Sequence, residues 1–300
     1  MKLTTITRIT LISALSLLLA ACGSQNQNSG EIFSGADENS TKGIVGGSPV
    51  SSSDLIAKST VAFYFAGFPS ADRTANFCTG TLIGRRTVLT AAHCFVDAAD
   101  SNGMSLSEWM SKTRVGFGTQ VVTSLSDSRV QMIGIEHVSV HPEYEKDSVS
   151  RASEVPMPDV AVVTLSANAP AGYSTVNMVE SSTLLQKGLS LTLAGYGLTN
   201  GRLQTQATEL RQVDVLVDDP EMTSAQFSYR VIGGRSACSG DSGGPAYVRI
   251  GGKLAVIGVT SWGDLTCSQI GGYTSVPAFA RWIRSSLILS EPIEIAASGF

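Results

Sequence analysis

A serine in a glycine-rich segment is the strongest chemical signal in this chain. Ser242 lies within Gly240–Pro245, which has the sequence GDSGGP. The chain has three histidines, and all of them precede this serine: His93, His137 and His141. A serine hydroxyl is a weak nucleophile at neutral pH unless an adjacent base takes its proton, and an imidazole can be that base. The motif therefore indicates acyl transfer through a serine that a histidine activates.

The order of these residues separates two classes of serine hydrolase. The segment also fits the G-x-S-x-G pattern of α/β-hydrolases, in which an acid and then the histidine follow the serine. Because no histidine follows Ser242, the sequence excludes that class. The other known order, histidine then aspartate then serine, agrees with the chain.

Short strands would have to position these residues. From residue 44 onward the sequence consists mostly of β-branched and apolar runs separated by Gly, Ser, Asn and Pro, which is typical of an all-β barrel or sandwich. Ser105–Lys112 has the pattern of a short surface helix. Pro277–Leu289 begins with proline and repeats its apolar residues at helical spacing. We therefore expect a β domain that ends in a helix.

Composition and charge narrow the classes of function. The chain has 300 residues, of which 43% are hydrophobic, so it can bury a sizeable core. It carries 21 Lys and Arg against 25 Asp and Glu, a net charge of −4. Phosphate binding needs a basic surface, so we do not expect nucleic acid as a partner.

Five short segments occur in a fixed order along the chain. They are Ile44–Gly47 (IVGG), Thr87–Cys94 (TVLTAAHC), Asp159–Val163 (DVAVV), Gly240–Pro245 (GDSGGP) and Ser261–Gly263 (SWG). This set, which extends over residues 44–273, resembles the trypsin/chymotrypsin family of serine proteases. The resemblance implies an all-β fold for residues 44–300, with two six-stranded antiparallel β-barrels at about 44–168 and 169–276 and a C-terminal helix at about 277–289. It also implies an active site in the cleft between the barrels.

The resemblance implies a role for each polar residue of the site. His93 would take the proton of Ser242 and return it to the leaving amine, and Asp159 would hold His93 in the required tautomer. The amides of Gly240 and Ser242 would bind the developing oxyanion. Three other aspartates are rivals for the position of the acid: Asp127, Asp147 and Asp241. Asp159 is preferred because an apolar strand follows it, as in the family.

The two other histidines raise the question of a metal site. His137 and His141 are four residues apart and would face one metal ion together on a helix. The intervening Val138–Val140 and the following Pro142 favour a strand end instead, where such residues lie about 13 Å apart. We therefore predict neither a metal nor a cofactor.

The amino terminus has the pattern of an export signal. Ile9–Ala21 is apolar and follows a short basic segment, and its 13 residues would form a helix of about 20 Å, too short to cross a membrane. We predict a signal peptide over residues 1–21. Leu19–Cys22 resembles the bacterial lipobox, so Cys22 is expected to carry lipid; the alternative is an ordinary cut that leaves a free thiol. Residues 22–43 are predicted to be a disordered tether and propeptide.

Four cysteines remain in the body of the chain, and they allow three pairings. The family pattern implies a disulfide between Cys78 and Cys94 and another between Cys238 and Cys267. Disulfides form in an oxidising compartment, in agreement with the export signal.

The family resemblance also implies that the chain is made as a zymogen. Cleavage before Ile44 would free an ammonium group that pairs with Asp241 and forms the oxyanion hole. The family usually has Lys or Arg directly before this isoleucine, whereas this chain has Lys42 and then Gly43. A cut after Lys42 would leave the ammonium group about 3.5 Å out of place, so the cut falls after Gly43 or a trimming step follows.

The residues of the substrate pocket follow from the same resemblance. They are Ser236 at the floor, Ser261 and Trp262 on the substrate-binding strand, and Gly263 and Gly271 at the walls. A neutral floor between glycine walls predicts cleavage after large apolar or aromatic residues. Two charged neighbours, Arg235 and Asp264, would alter that preference if they reached the pocket.

The sequence thus predicts an exported serine endopeptidase with protein or peptide substrates and an activating protease as partner. We expect a monomer that touches the membrane only through lipid on Cys22 and that leaves it for the periplasm or the extracellular space on activation. The alternative is a catalytically silent homologue that acts as a binding module at the cell surface.

Overall fold

A computed structural model describes residues 44–146 and 157–290 of the chain. The predicted signal peptide, the tether, Cys22 and Asp147 lie outside these residues. None of the helices in the described part is both long enough and apolar enough to cross a membrane.

Six antiparallel strands close into a first barrel in the order β2-β3-β4-β7-β6-β5. The elements of this half are, in chain order, β1 (Ser48–Pro49), α1 (Leu55–Ser59), β2 (Thr60–Phe65), β3 (Ala75–Gly84), β4 (Thr87–Thr90), α2 (Val96–Ser101), α3 (Leu106–Ser111), β5 (Thr113–Phe117), β6 (Gln131–Val140) and β7 (Ala161–Leu165). Strand β7 is buried along its whole length because the barrel interior covers one face and other elements cover the opposite face.

A second barrel follows, with the strand order β12-β13-β16-β15-β14-β9 and a closing pair between β9 and β12. Its elements are β8 (Asn177–Met178), a 3₁₀ turn (Ser182–Leu184), β9 (Ser190–Gly195), β10 (Leu198–Asn200), β11 (Thr205–Gln206), β12 (Arg211–Thr223), β13 (Gln226–Arg230), β14 (Pro245–Ile250), β15 (Lys253–Gly263) and β16 (Ile270–Ser275). The predicted two-barrel, all-β fold is confirmed.

One long strand closes the second barrel. The first half of β12, from Arg211 to Leu216, pairs with β9, and the part from Val217 to Thr223 pairs with β13. Val213, Val215 and Val217 point into the core while the residues between them are exposed or half-buried. This alternation has the period of two that a strand with one buried face requires.

The chain ends in the predicted helix, α4 (Val276–Ser290). Its buried residues Val276, Ala280 and Ile283 recur at helical spacing. This face packs against β7 of the first barrel and β15 of the second, so the helix joins the two halves. The short helix predicted at Ser105–Lys112 is also present as α3, and Ser105 caps it by accepting a hydrogen bond from the Glu108 N–H at 3.1 Å.

Both predicted disulfides are present. Cys78 on β3 is bonded to Cys94, which follows β4. Cys238 is bonded to Cys267, joining the segment before β14 to the segment after β15.

Candidate active site

The register of two first-barrel strands brings a histidine and an aspartate together. Strands β4 and β7 are antiparallel, with Thr90 opposite Ala161. The segment that follows β4 therefore lies beside the segment that precedes β7. His93 Nδ1 lies 2.7 Å from Asp159 Oδ2, and the His93 backbone N–H donates to Asp159 Oδ1 at 2.9 Å.

The second barrel completes the surroundings of this aspartate. Ser261 Oγ on β15 donates to Asp159 Oδ2 at 2.6 Å, and Thr274 Oγ1 on β16 donates to the Asp159 carbonyl at 3.0 Å. Asp159 is 0% exposed, yet both of its carboxylate oxygens accept hydrogen bonds. The sequence assigned Ser261 to substrate binding only. Its contact with Asp159 depends on how the two barrels pack together.

The surroundings of His93 raise its pKa. Burial acts to lower this pKa, but the charge of Asp159 and its hydrogen bond act in the opposite direction and outweigh burial. The side chain of His93 remains 17% exposed, so its ring can reach solvent or a substrate. The carboxylate of Asp159 thus stabilises the protonated form that His93 would adopt after it accepts a proton.

Ser242 lies at the end of a glycine loop that contacts the first barrel. Its carbonyl accepts from the Thr79 N–H at 2.8 Å, and Thr79 Oγ1 donates to the Gly240 carbonyl at 2.9 Å. Gly243 adopts a φ of +78°, and a Cβ at this position would collide with Thr90 Oγ1. The loop therefore fits against β3 and β4 only because it has glycine there.

His93 and Ser242 both lie close to the disulfide between Cys78 and Cys94. The sulfur of Cys94 lies 3.8 Å from His93 Nε2 and 3.7 Å from the Ser242 carbonyl oxygen. Within the part of the chain that the structure describes, His93 Nε2 and Ser242 Oγ do not form a hydrogen bond. Such bonds often tighten only when substrate is bound. Although His93, Cys78 and Cys94 cluster closely, both sulfurs are consumed in the disulfide and are not thiolate ligands for a metal.

The backbone N–H groups of Gly240–Gly244, here called the serine loop, divide into those that donate hydrogen bonds within the protein and those that do not. Asp241, Gly243 and Gly244 each donate to a backbone carbonyl at 2.8–2.9 Å. Among the described residues, the N–H groups of Gly240 and Ser242 have no backbone acceptor. Gly240 has a φ of +94°, which glycine adopts readily. Two unused donors beside a serine are suited to binding an oxyanion.

Asp241 is a second buried carboxylate, also 0% exposed. Its oxygens accept from the N–H groups of Gly197 and Cys238, both at 2.8 Å. Burial raises the pKa of Asp241 to about 7, against the opposing effect of these two hydrogen bonds. No cation among the described residues pairs with it.

The segment that begins at Ile44 docks beside the same loop. Ile44 is fully buried, and the Ser236 N–H donates to the Val45 carbonyl at 3.1 Å. In the intact chain the nitrogen of Ile44 belongs to a peptide bond with Gly43, so it carries no charge.

A cavity of about 130 Å³ opens beside Ser242. Its lining consists of Ala237, Cys238, Ser239, Ser242, Thr260, Ser261, Trp262, Gly263, Asp264, Leu265 and Cys267. The predicted residues Ser261, Trp262 and Gly263 line it. Ser236 and Gly271, the predicted floor and second wall, are not among its described lining residues.

Tyr229 on β13 lies against both residues that the family resemblance placed at the floor and second wall, although it is not itself among the described lining residues of the cavity. It lies opposite Gly271 in the ladder between β13 and β16, and a Cβ on Gly271 would come within 2.5 Å of its ring. Its hydroxyl lies 3.0 Å from Ser236 Oγ and accepts from the Ala237 N–H at 2.9 Å. These contacts were not predicted from the sequence, and the assignment of Ser236 and Gly271 to the pocket stays a prediction.

Of the two charged neighbours of the pocket, Asp264 lines the cavity and Arg235 does not. Asp264 accepts hydrogen bonds from the N–H groups of Ser268, Gln269 and Ile270 and from the Thr266 hydroxyl. Burial acts to raise the pKa of Asp264, but these hydrogen bonds hold it far below its usual range. Arg235 is exposed and lines a different cavity, next to Gly46.

The rival acids and histidines have other surroundings. Asp127 pairs with Arg129 through Oδ2 at 2.6 Å. His137 lies within β6 opposite Thr164, whereas His141 follows the strand and packs against the rings of Phe279 and Trp282 at 5.0 and 4.9 Å. The prediction of a strand end at this point agrees with the structure.

Comparison with known proteins agrees with this geometry. A sequence model for the family described as Trypsin matches residues 44–283. The chain is 28% identical over 229 residues to chymotrypsin from Phaedon cochleariae, an alignment that covers 72% of this chain and 74% of that protein. It is 27% identical over 260 residues to chymotrypsin-like elastase family member 1 from Bos taurus, covering 81% and 89%. It is 28% identical over 225 residues to trypsin from Xenopus laevis, covering 71% and 81%.

Proposed function

The chain belongs to the trypsin family of serine proteases, and from that premise we propose that it hydrolyses peptide bonds through an acyl-enzyme on Ser242, with His93 as the base and Asp159 as the carboxylate that orients His93. The observation that carries the proposal is the buried pair of His93 and Asp159, held from the second barrel by Ser261. A carboxylate placed in this way fixes the imidazole tautomer and stabilises the imidazolium.

The reaction follows from the positions of the protons. The N–H at Nδ1 of His93 donates to Asp159, so Nε2 is free to accept the Ser242 proton as Oγ attacks the substrate carbonyl. His93 then gives that proton to the leaving amine. Water attacks the acyl-enzyme with His93 again as base, which releases the acid product and restores Ser242. The unused amides of Gly240 and Ser242 stabilise the oxyanion in both steps, at about 3–4 kcal/mol per donor.

Covalent labelling tests this proposal against a catalytically silent homologue. A fluorophosphonate reacts with a serine only when the base and the oxyanion hole are in place. The processed protein is expected to label at Ser242, and the S242A and H93A variants are expected not to label. If the processed wild type stays unlabelled and hydrolyses no peptide, the protein is a binding module and the proposal fails.

The precursor is inactive in this proposal because Asp241 lacks a cation. Cleavage before Ile44 would supply an ammonium group next to a docked segment, since Ile44 is already buried and Val45 is bonded to Ser236. A buried carboxylate without a partner costs several kcal/mol, so the new pair would favour a formed serine loop. Amino-terminal sequencing of the active enzyme is expected to begin at Ile44. A fully active enzyme that begins at Gly43 would contradict this account.

Export and lipid anchoring complete the proposed history of the protein. The two disulfides support an oxidising compartment, and the signal pattern with Cys22 supports a lipid anchor before activation. Because the four body cysteines pair with one another, no disulfide would retain the propeptide, and cleavage by the activating protease would release the enzyme. Fractionation is expected to recover the precursor with membranes and the processed form in the soluble fraction. Active enzyme that stays with the membrane would exclude release.

The lining of the pocket supports uncharged substrate side chains. Its lining is uncharged apart from Asp264, which stays ionised but directs its carboxylate oxygens to donors of its own loop. We therefore expect cleavage after apolar residues of protein substrates, and a preference for Lys or Arg would show that the charge of Asp264 acts in the pocket.

A further inference from the structure

The side chain of Tyr229 lies against the two residues that the family resemblance assigns to the floor and second wall of the substrate pocket. It is fully buried, it projects from β13, its hydroxyl reaches Ser236, and its ring occupies the space beside Gly271. The cavity beside Ser242, about 130 Å³, lies below the roughly 300–1,000 Å³ of typical ligand pockets. Its lining includes Ala237, whose N–H donates to the tyrosine hydroxyl, but neither Ser236 nor Gly271, so the cavity ends before it reaches the predicted floor.

The hydrogen bonds of the tyrosine hydroxyl hold it in this place. Ser236 Oγ donates to the Ala237 carbonyl at 2.8 Å, so it accepts its bond from Tyr229. The same tyrosine oxygen accepts from the Ala237 N–H at 2.9 Å. The Tyr229 hydroxyl, the Ser236 hydroxyl and the Ala237 N–H therefore all have hydrogen-bond partners. A displaced tyrosine would leave these buried groups without them. Burial also raises the pKa of Tyr229 to about 12, so the hydroxyl stays neutral at any working pH.

The tyrosine ring is held from two sides. The ring of Tyr273 lies beside it, with 5.8 Å between the centroids. On the neighbouring strand Gly271 leaves the space that the ring fills, because any side chain there would meet the Tyr229 ring. The glycine that the sequence analysis placed in the pocket wall therefore makes room for Tyr229 and not for a substrate.

Resting on the proposed peptidase function, we propose that Tyr229 is the specificity-determining residue of this protease and restricts the residue before the cut to small apolar side chains, alanine or valine. An aromatic side chain of the substrate would have to occupy the volume that Tyr229 already fills. Because its hydrogen bonds and Tyr273 resist displacement, large substrates are excluded and not accommodated by a movement of the ring.

A substrate series tests the proposal on the processed wild-type enzyme. The substrates are peptide p-nitroanilides that differ only in the residue before the cut: Ala, Val, Leu, Phe and Lys. Fluorophosphonate titration gives the concentration of active sites independently of that residue. We expect kcat/KM for Ala or Val to exceed that for Phe by at least about tenfold. Wild type that labels normally but prefers Phe or Lys would overturn the specificity proposal while leaving the peptidase intact.

Variants of Tyr229 separate the size of the side chain from its hydroxyl. Y229A is expected to raise the Phe/Ala ratio of kcat/KM by about 100-fold, because it opens the floor. Y229F retains the ring and is expected to keep the wild-type ratio within about threefold. The matched control is Y64A, which removes the same side chain from β2 of the first barrel and is expected to leave the ratio unchanged.

The outcomes are distinguishable from one another. Y229A that labels normally without a change in the ratio would overturn the proposal. If Y229A fails to label, the wild-type series decides the question together with Y229L, a variant that removes the far half of the ring. Wild type that neither labels nor cleaves any substrate would overturn the peptidase function, and the specificity proposal with it.

Discussion

The site contains two buried aspartates, Asp159 and Asp241, and their surroundings differ. Asp159 accepts from the His93 backbone, the His93 ring and the Ser261 hydroxyl, and the ring can carry a positive charge. Among the described residues, the Asp241 carboxylate accepts only from two backbone amides, those of Gly197 and Cys238. In the proposed mechanism the pair of His93 and Asp159 is already assembled in the uncleaved chain, whereas Asp241 still lacks a charged partner among the described residues.

The largest expected effect concerns Asp159, the aspartate that is paired with His93. D159N retains the shape of the side chain but leaves His93 without a carboxylate, which disfavours both its tautomer and its protonation. The kcat of the processed enzyme is expected to fall by about 10⁴-fold. D127N is the matched control, since Asp127 is an aspartate that pairs only with Arg129 at the surface. A comparable loss in D127N would mean that the acid was wrongly assigned.

A pH effect of intermediate size tests the other aspartate. The pKa of Asp241 is raised from 3.8 to about 7 in the folded chain. Between these values the folded precursor holds a proton that the unfolded chain has lost, so this group makes the free energy of unfolding fall as the pH rises from about 4 to 7. The expected loss is up to about 4 kcal/mol.

Urea unfolding of an uncleaved S242A precursor at pH 5 and pH 8 measures the part of this loss that falls above pH 5, about 3 kcal/mol. The S242A/D241N double variant is the control and is expected to lose most of the difference. After cleavage the ammonium group should lower the pKa of Asp241 and remove the same dependence. An equally steep pH dependence in the double variant would assign the effect to other groups.

The smallest expected effect concerns the hydrogen bond that Ser261 of the second barrel donates to Asp159. S261A removes one of the three hydrogen bonds that the Asp159 carboxylate accepts and leaves the other two in place. Loss of a hydrogen bond to a charged group costs about 1.5–3 kcal/mol, so kcat is expected to fall by about 10- to 150-fold. The kcat and KM for one peptide distinguish this role from substrate binding. A rise in KM at constant kcat would mean that Ser261 acts only in substrate binding.

The sequence predicted the parts of this molecule that local patterns or a family motif determine. The apolar spacing of Pro277–Leu289 identified the C-terminal helix, and the family pattern selected both disulfides. The helix α2 was not predicted, because it has only six residues and no side-chain cap. Tyr229 was missed for a different reason. Its contacts with the residues predicted to form the pocket follow from its pairing with Gly271, a residue about forty positions later, and no short segment of sequence contains that register.

The contacts of Asp159 also set an order of events during synthesis. The first barrel is complete at Leu165, yet the hydroxyls that hold its aspartate belong to Ser261 and Thr274. At about 5–20 residues per second, a ribosome needs roughly 5–20 s to add the intervening stretch. Until residue 242 is added, the nascent chain contains His93 and Asp159 but neither Ser242 nor the hydroxyls of Ser261 and Thr274. A translation product that stops before that point therefore lacks the nucleophile of the proposed mechanism.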